Sequence, residues 1–430
     1  MEIKRHRYLE QLLRKMDNDM IKVITGIRRS GKSYLLFHLF QDYLIDQGVK
    51  EENIISVSLD EEDNAVYRDP AKLYEYIKSR LISNDKYYVF LDEVQFAISK
   101  EEMKNKDKPI RIYGVLNSLL RKNNVDVYVT GSNSKFLSTD VMTEFRGRGD
   151  EIHIAPLSFS EYYPAHGGSK EEAWTDYLYY GGLPYVLKPQ TDEDKTKYLE
   201  RLCDELYIRD IIERYDIKNE AGLRALIKVL ASGTGSLTNP QKIADTFTSS
   251  GQKEISLPTI TNYMKYLQEA FVFEKAERYD IKGRKYISTP SKYYSTDIGV
   301  RNAFLNFRQF EETHLMENVI YNELIYRGYH VDVGIVEITE NSDGRRKRKQ
   351  LEVDFVANKG NRRYYVQSAY ALPDQEKIDQ EQASLIRIPD SFRKIIVVKQ
   401  NMKPWVNENG ILFVNVFDFL LNENSLEILA

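Results

Sequence analysis

The sequence predicts an α/β fold that opens with a parallel sheet, and three observations carry that prediction. A glycine-rich segment, Gly26-Ile27-Arg28-Arg29-Ser30-Gly31-Lys32-Ser33, lies between the β-branched run Ile21–Thr25 and a helix-like stretch at residues 34–40. A continuous apolar run, Tyr87-Tyr88-Val89-Phe90-Leu91, ends in Asp92-Glu93. A third run, Val125-Asp126-Val127-Tyr128-Val129, ends in Thr130-Gly131-Ser132-Asn133. Unbroken apolar strands of this kind are covered on both faces, as in parallel sheets flanked by helices.

The first segment fits G-x-x-x-x-G-K-[ST] in a strand, loop and helix context, which makes the pattern specific for a phosphate group. Its glycines let the backbone wrap an anion, and the amides at the helix start point toward it. The candidate nucleotide contacts are Gly26, Arg28, Arg29, Ser30, Gly31, Lys32, Ser33 and Tyr34. Lys32 is placed to reach the β- and γ-phosphates, and the Ser33 hydroxyl to hold Mg²⁺. An acidic pair at the carboxyl end of a parallel strand lies where open α/β sheets bind ligands. Asp92 is therefore the candidate metal ligand, and Glu93 the base for an attacking water. Ser132 and Asn133 both suit a sensor of the γ-phosphate, and the residue types do not separate them. Arg146 and Arg148, in Phe145-Arg146-Gly147-Arg148, offer cations for the charge on a transferred phosphoryl group. Arg148 acting in a neighbouring copy would require a homo-oligomer; pairing with a nearby carboxylate is the alternative.

Composition sets the outer limits. At 430 residues the chain exceeds what one core organises, so two to four domains are expected. The single cysteine, Cys203, forms no intrachain disulfide and suits a reducing, cytoplasmic setting. Six scattered histidines do not suggest a zinc site. The opening residues lack the apolar core of a signal peptide, and no run approaches the roughly 18 apolar residues of a membrane span. The net charge is −4, but residues 222–292 hold eleven Lys and Arg against six Asp and Glu.

That basic window has the order of a winged helix. Helical periodicity at residues 223–230 is followed by a second helix from Pro240, with Asn239 as its N-cap, and a third at residues 258–267. Two strands then flank Asp280-Ile281-Lys282-Gly283-Arg284-Lys285, the expected wing. A winged helix sets its third helix in a major groove and its wing on phosphates. Thr259, Thr261 and Asn262 are then nearest base edges, while Lys265, Lys282, Arg284 and Lys285 contact the backbone. Such modules also bind proteins, and charge alone does not choose between DNA and a protein partner. Upstream, residues 156–218 read as a helical lid whose tyrosines serve its core, with Tyr180-Gly181-Gly182-Leu183-Pro184 as a loop or hinge. Downstream, the basic run Arg345-Arg346-Lys347-Arg348-Lys349 after Asp343-Gly344 reads as a solvated hairpin loop.

The order of these motifs resembles the prokaryotic AAA-type ATPases that carry an uncharacterised C-terminal region. The matching residues are the phosphate loop, Leu91-Asp92-Glu93-Val94-Gln95, Thr130-Gly131-Ser132-Asn133, Gly147-Arg148 and Pro156-Leu157-Ser158-Phe159-Ser160-Glu161-Tyr162. Further matches are the segments at 180–184, 206–210, 292–299 and 352–356. The resemblance covers nearly the whole chain and implies ATP with Mg²⁺.

The last third resembles a second family, the restriction-endonuclease-like fold, which gathers carboxylates and a lysine around Mg²⁺. A helix carries Glu323, with Glu317 as the alternative on the same helix, and a strand carries Asp354. The next strand brings Gln367 and Ala369 where that family has a carboxylate and a lysine. A neutral amide holds Mg²⁺ weakly and alanine cannot stabilise developing charge, so a degenerate site is expected.

The sequence is thus read as an ATPase domain at 1–155, a helical lid at 156–218, a winged helix at 219–300 and a degenerate nuclease-like domain at 301–430. ATP turnover would drive modules that contact DNA or protein. The alternatives are a DNA-binding regulator with ATP as a slow switch, and an active Mg²⁺-dependent nuclease.

Overall fold

In the computed structural model of the protein, the described residues are 3–99, 101–102, 109–132, 148–249, 255–342 and 345–428, with backbone alone at 340–342 and 345–347. The chain divides into two compact units, Met1–Pro156 with Glu269–Phe271, and Leu157–Gln268 with Val272–Ala430.

The first unit is built on a five-stranded, wholly parallel sheet: β1 (Ile21–Thr25), β2 (Ile54–Ser58), β3 (Tyr87–Asp92), β4 (Val125–Thr130) and β5 (Gly149–His153). Their order is β2-β3-β4-β1-β5. Every residue of β1, β3 and β4 is buried, as the unbroken apolar runs require. Helices Pro70–Arg80 and Arg111–Leu120 cover one face, packing Leu73, Ile77 and Leu116 onto Val23, Val57, Val89 and Val127. On the other face Phe40 meets Phe90 and Tyr128, whose rings stand edge to face. Two charges buried in these strands satisfy each other. Lys22 of β1 bonds Asp126 of β4, and Asp126 also accepts from Tyr128 Oη at 2.8 Å.

The second unit carries a mixed, nine-stranded sheet. Its strands are β6 (Leu237–Thr238), β7 (Phe273–Asp280), β8 (Lys285–Ser295), β9 (His330–Ser342), β10 (Arg345–Lys359), β11 (Arg362–Ala369), β12 (Arg393–Val398), β13 (Trp405–Val406) and β14 (Ile411–Asn415). The order is β13-β14-β12-β11-β10-β9-β7-β8-β6. The elements expected at 219–300 are present as helices Glu220–Ser232, Pro240–Ser249 and Leu257–Glu269 followed by the β7–β8 hairpin. Asn239 caps the second helix, its Oδ1 accepting from Gln241 N at 2.9 Å. That hairpin does not stand apart, because β7 pairs in parallel with β9 from Arg278 to Asp280. Strands from the segments 219–300 and 301–430 therefore share one sheet.

One local expectation is corrected. The basic run 345–349 is strand rather than loop, since β10 pairs with β9 from Arg345 opposite Ser342 onward; the connection Asp343-Gly344 lies outside the described residues. The segment at 180–184 includes the expected loop at Gly181-Gly182-Leu183, and that loop is clamped in place. Helix Lys170–Tyr180 ends at Gly181 (φ 74°), and buried Asp297 accepts from Gly182 N at 2.7 Å and from Val300 N at 3.0 Å. A Cβ on Gly181 would lie 2.2 Å from Asp297 Oδ1, and one on Gly299 2.0 Å from the Tyr180 carbonyl oxygen, so only glycine fits either place. Among the described residues, no helix is long and apolar enough to cross a membrane.

Candidate active site

The glycine-rich loop leaves the carboxyl end of β1 and enters a helix that runs Lys32–Tyr34, widens into a π turn at Leu35–Phe40 and continues as Gln41–Asp46. Gly26 has φ 137°, and a Cβ there would lie 2.2 Å from the Ile154 carbonyl oxygen, so the loop's first turn admits glycine alone. Gly31 (φ 97°) and Arg29 (φ 66°) also take positive φ, curling the loop. Lys32 is 4% exposed, and its ammonium donates to the carbonyls of Gly26 at 3.1 Å and Ile27 at 3.2 Å. Burial lowers its pKa, opposed by Glu93 and Asp92. The Ser30 hydroxyl is fully buried and has no partner among the described residues. An orphan donor inside a curled loop of amides fits a phosphate oxygen.

Asp92, the last residue of β3, gathers the hydroxyls around it. Ser33 Oγ donates to Asp92 Oδ2 at 2.8 Å, and Thr130 Oγ1 donates to Asp92 Oδ1. Burial pushes its carboxyl up to about 6, against the pull of those two bonds. A hydroxyl and a carboxylate in contact beside a phosphate loop are the donor set that takes Mg²⁺ together with phosphate oxygens. The expected metal pair, Ser33 and Asp92, is brought together.

Glu93 follows in a left-handed conformation (φ 51°, ψ 51°), which reverses the chain at the sheet edge. Its amide donates to Thr130 Oγ1 at 3.1 Å, tying β3 to β4. Its carboxylate accepts from Gln95 Nε2 and from Ser132 Oγ at 3.4 Å. Ser132 Oγ accepts in turn from Arg28 Nε at 3.1 Å, so the loop is linked through Ser132 to the candidate base. Asn133 and Arg146 lie outside the described residues. Tyr34 is 40% exposed and packs against His38.

Arg148 is not brought to this loop within the chain. Its carbonyl accepts from Ile21 N at 2.9 Å, and Gly149 pairs with Ile21 at the amino end of β1. The loop leaves from the opposite end, about 16 Å away at the rise of a strand.

His153 is a neighbour the sequence reading missed. Its Nδ1 is 3.2 Å from Thr25 Oγ1, which donates to Glu151 at 2.6 Å. Burial, with Lys32 nearby, lowers its pKa to about 4, so the ring is neutral at pH 7. No local motif marks it; only the β1–β5 pairing opposes it to Thr25.

In the second unit the expected base-reading positions lie on helix Leu257–Glu269, with Thr261, Asn262 and Lys265 exposed. Thr259 is half-buried, its hydroxyl 2.9 Å from Ser256 Oγ. Lys282, Arg284 and Lys285 are exposed at the β7–β8 connection, Lys282 donating to the Glu337 carbonyl at 3.3 Å.

The nuclease-like set is only partly assembled. Glu323 pairs with Arg327 at 2.7 Å, and that guanidinium is held by Ser425 Oγ at 2.8 Å and the Phe419 carbonyl. Glu317, on the same helix, is the carboxylate that meets Asp354, and a lysine joins them. Lys292 of β8, 3% exposed, lies 2.9 Å from Glu317, 2.7 Å from Glu352 and 3.8 Å from Asp354. Tyr294 Oη donates to Glu317 at 2.7 Å, and Ser368 N to Asp354 at 2.8 Å. Gln367 Oε1 accepts from Asp354 N at 3.3 Å. Burial and the Glu317 charge raise the Asp354 pKa, opposed by Lys292; burial works against Lys292's charge, but the three carboxylates prevail and raise its pKa. The lysine absent at Ala369 is thus matched by one from a strand outside the expected motif. Among the described residues, no group of three or more His, Cys, Asp or Glu is arranged to hold a metal ion.

Comparison with known proteins gives matches to family models, to relatives and to a solved structure. The model of an AAA domain matches residues 18–163, and that of a domain of unknown function matches residues 171–311. An uncharacterised protein of Haemophilus influenzae is 34% identical over 97% of this chain and 98% of its own length. One of Methanocaldococcus jannaschii is 28% identical over 84% of this chain and 77% of its own length. A solved Walker-type ATPase of Pyrococcus abyssi matches 71% of this chain and 96% of its own at 15% identity, with a TM-score of 0.49. The chain belongs to the same family as the Haemophilus influenzae protein, and its N-terminal unit is an AAA-type, P-loop nucleotide-binding domain.

Proposed function

We propose that this protein is a cytoplasmic, Mg²⁺-dependent ATPase of the AAA type, whose nucleotide state governs modules in the second unit that contact DNA or a protein. The observation that carries the reading is the cluster in which Ser33 and Thr130 bond the two oxygens of Asp92 while Glu93 follows on the same strand end. In this reading Lys32 exchanges the carbonyls of Gly26 and Ile27 for the β- and γ-phosphates. Ser33 and Asp92 hold Mg²⁺, which supplies neutralisation of charge on the phosphoryl oxygens. Glu93 orients the attacking water and takes its proton, with Ser132 or Asn133 as γ-phosphate sensor. Arg148 reaches the nucleotide of a neighbouring copy, in keeping with its distance from the loop of its own chain.

In the second unit, helices Glu220–Ser232, Pro240–Ser249 and Leu257–Glu269 with the β7–β8 hairpin serve as a winged helix. The sheet from β9 onward serves as a nuclease-like domain that does not cleave. Lys292 supports that reading: its ammonium is already shared among the carboxylates that a metal would need.

The test is Glu93→Gln. Nucleotide affinity should stay near the parent's while turnover falls by on the order of 10²-fold or more, the usual contribution of a positioned base. Lys32→Ala should weaken binding itself. Parent-like turnover in Glu93→Gln would remove Glu93 as the base. The same variant, trapped with ATP and recovered with whatever it holds, identifies the partner as DNA or protein.

A further inference from the structure

We propose that Gln95 is a positioning residue for the base, holding the Glu93 carboxylate in one rotamer through its side-chain amide. This rests on the ATPase reading of the same site.

The geometry begins with the left-handed turn at Glu93. An L-residue there costs about 1–2 kcal/mol, so something must hold it. The amide of Glu93 is fixed on Thr130, and its carbonyl accepts from Phe96 N at 3.0 Å, which starts the short helix Val94–Ala97. That reversal carries the chain back on itself, and Gln95 Nε2 lands on Glu93 Oε2. The orientation of the amide is not interchangeable, because the Gln95 oxygen against a carboxylate would be repulsive.

A second feature shows that the amide is placed for its donor end. Gln95 Oε1 is buried and takes no hydrogen bond from any described residue. Side chains chosen only for packing rarely leave a buried acceptor unserved. Here the cost falls on the carbonyl, and the gain is a charge-assisted bond from Nε2 to the carboxylate. The same Glu93 oxygen also receives Ser132 Oγ at 3.4 Å, so two donors set its direction. Neither atom of the Gln95 amide bonds the phosphate loop, so the residue should act on the base and leave nucleotide affinity alone.

A carboxylate held in one rotamer keeps its oxygen aimed at the attacking water, so freeing it loses productive orientation without touching the phosphate loop. In Gln95→Leu, kcat at pH 7 should fall on the order of tenfold with the KM for ATP within about twofold, the signature of an interaction absent from ground-state binding. Gln95→Glu, which replaces the donor by a second carboxylate and repels Glu93 from its place, should lower kcat further. ATP should still raise the melting temperature of both variants as it does the parent's, which shows the loop intact. An unchanged kcat in Gln95→Leu, with a hydrolysing parent, would overturn this assignment alone. A parent that does not hydrolyse ATP with Mg²⁺ would overturn the ATPase reading and this inference with it.

Discussion

Lys292→Met tests whether the carboxylates of the second unit are held by an internal cation. The substitution keeps the length of the side chain and removes its charge. Three carboxylates lie within 3.8 Å of that nitrogen, and Glu317 and Asp354 are only 8% and 7% exposed. Removing one partner of a buried pair leaves an uncompensated charge and costs about 3–5 kcal/mol. Glu352 is closer to solvent, so its own loss is small and the cost belongs to the two buried groups. At roughly 2–4 °C per kcal/mol for a unit of this size, the melting temperature should fall by about 10 °C.

The pH dependence gives a sharper test. Asp354 has a raised pKa in the folded protein, so the fold binds a proton that the unfolded chain releases. Stability from this group is therefore fullest below the unfolded carboxylate range and declines as pH rises toward the folded value. With Lys292 present the folded value is already about 8, and without it the value rises further; the two proteins therefore lose stability together up to neutral pH, and the deficit of Lys292→Met should grow as pH rises from 7 through 8 toward 9.5. Adding Glu317→Gln to the variant should recover part of the loss, because one of the stranded charges is gone. Urea denaturation at pH 7 and pH 9.5 measures all three quantities. A Lys292→Met protein within about 1 kcal/mol of the parent at pH 9.5, with no pH-dependent difference, would refute the reasoning.

Three further outcomes follow from the same geometry. Purified protein should not cut single- or double-stranded DNA in Mg²⁺ or Mn²⁺, with or without ATP; metal-dependent cutting abolished by Asp354→Ala would make the nuclease reading correct and Lys292 part of its chemistry. Because Asp92 titrates near 6 and must be ionised to hold Mg²⁺, apparent Mg²⁺ affinity should be flat above neutral pH and drop as pH falls through 6, up to about tenfold per unit; Mg²⁺ titrations of ATPase rate at pH 5.5 and 7.5 that agree would refute it. If Arg148 serves a neighbour's nucleotide, turnover per subunit should rise with protein concentration and Arg148→Ala should abolish the rise, whereas unchanged hydrolysis in that variant would remove it from the site.

The grouping of Lys32, Ser33, Asp92 and Ser132 at the candidate site was legible because these parts are local or stand at strand ends. The loop, Lys32 and Ser33 are contiguous, and unbroken apolar runs locate Asp92 and Ser132 at carboxyl ends that a parallel sheet must align. Gln95 was not legible, although it stands in a quoted motif, because its role depends on the left-handed turn at Glu93 that returns the side chain. His153 and Arg148 needed the β1–β5 register, which no local pattern records. The same limit hid the shared sheet of the second unit, where β7 pairs with a strand some fifty residues downstream.

The choice between Glu317 and Glu323 shows how geometry resolves what residue type cannot. Six residues along an α-helix turn through about 240° beyond one full revolution, so one helix cannot aim both carboxylates at the same sheet strand. Glu317 faces β8 and β10, where Lys292 and Asp354 wait; Glu323 faces the C-terminal segment, where Arg327, Ser425 and the Phe419 carbonyl neutralise it. A motif count would credit either glutamate equally. The same reasoning explains the paired motifs at 180–184 and 292–299, which look like separate signatures in the sequence. Gly181 and Gly182 must lack side chains because the Asp297 carboxylate and the Leu157 carbonyl occupy that space, and Gly299 because the Tyr180 carbonyl does. Burial drives the Asp297 pKa up to about 6 against the backbone amides that hold it, so the clamp keeps a carboxylate where charge is costly. Two glycine motifs more than a hundred residues apart are thus one structural device, built around Asp297 and requiring no ligand to account for them.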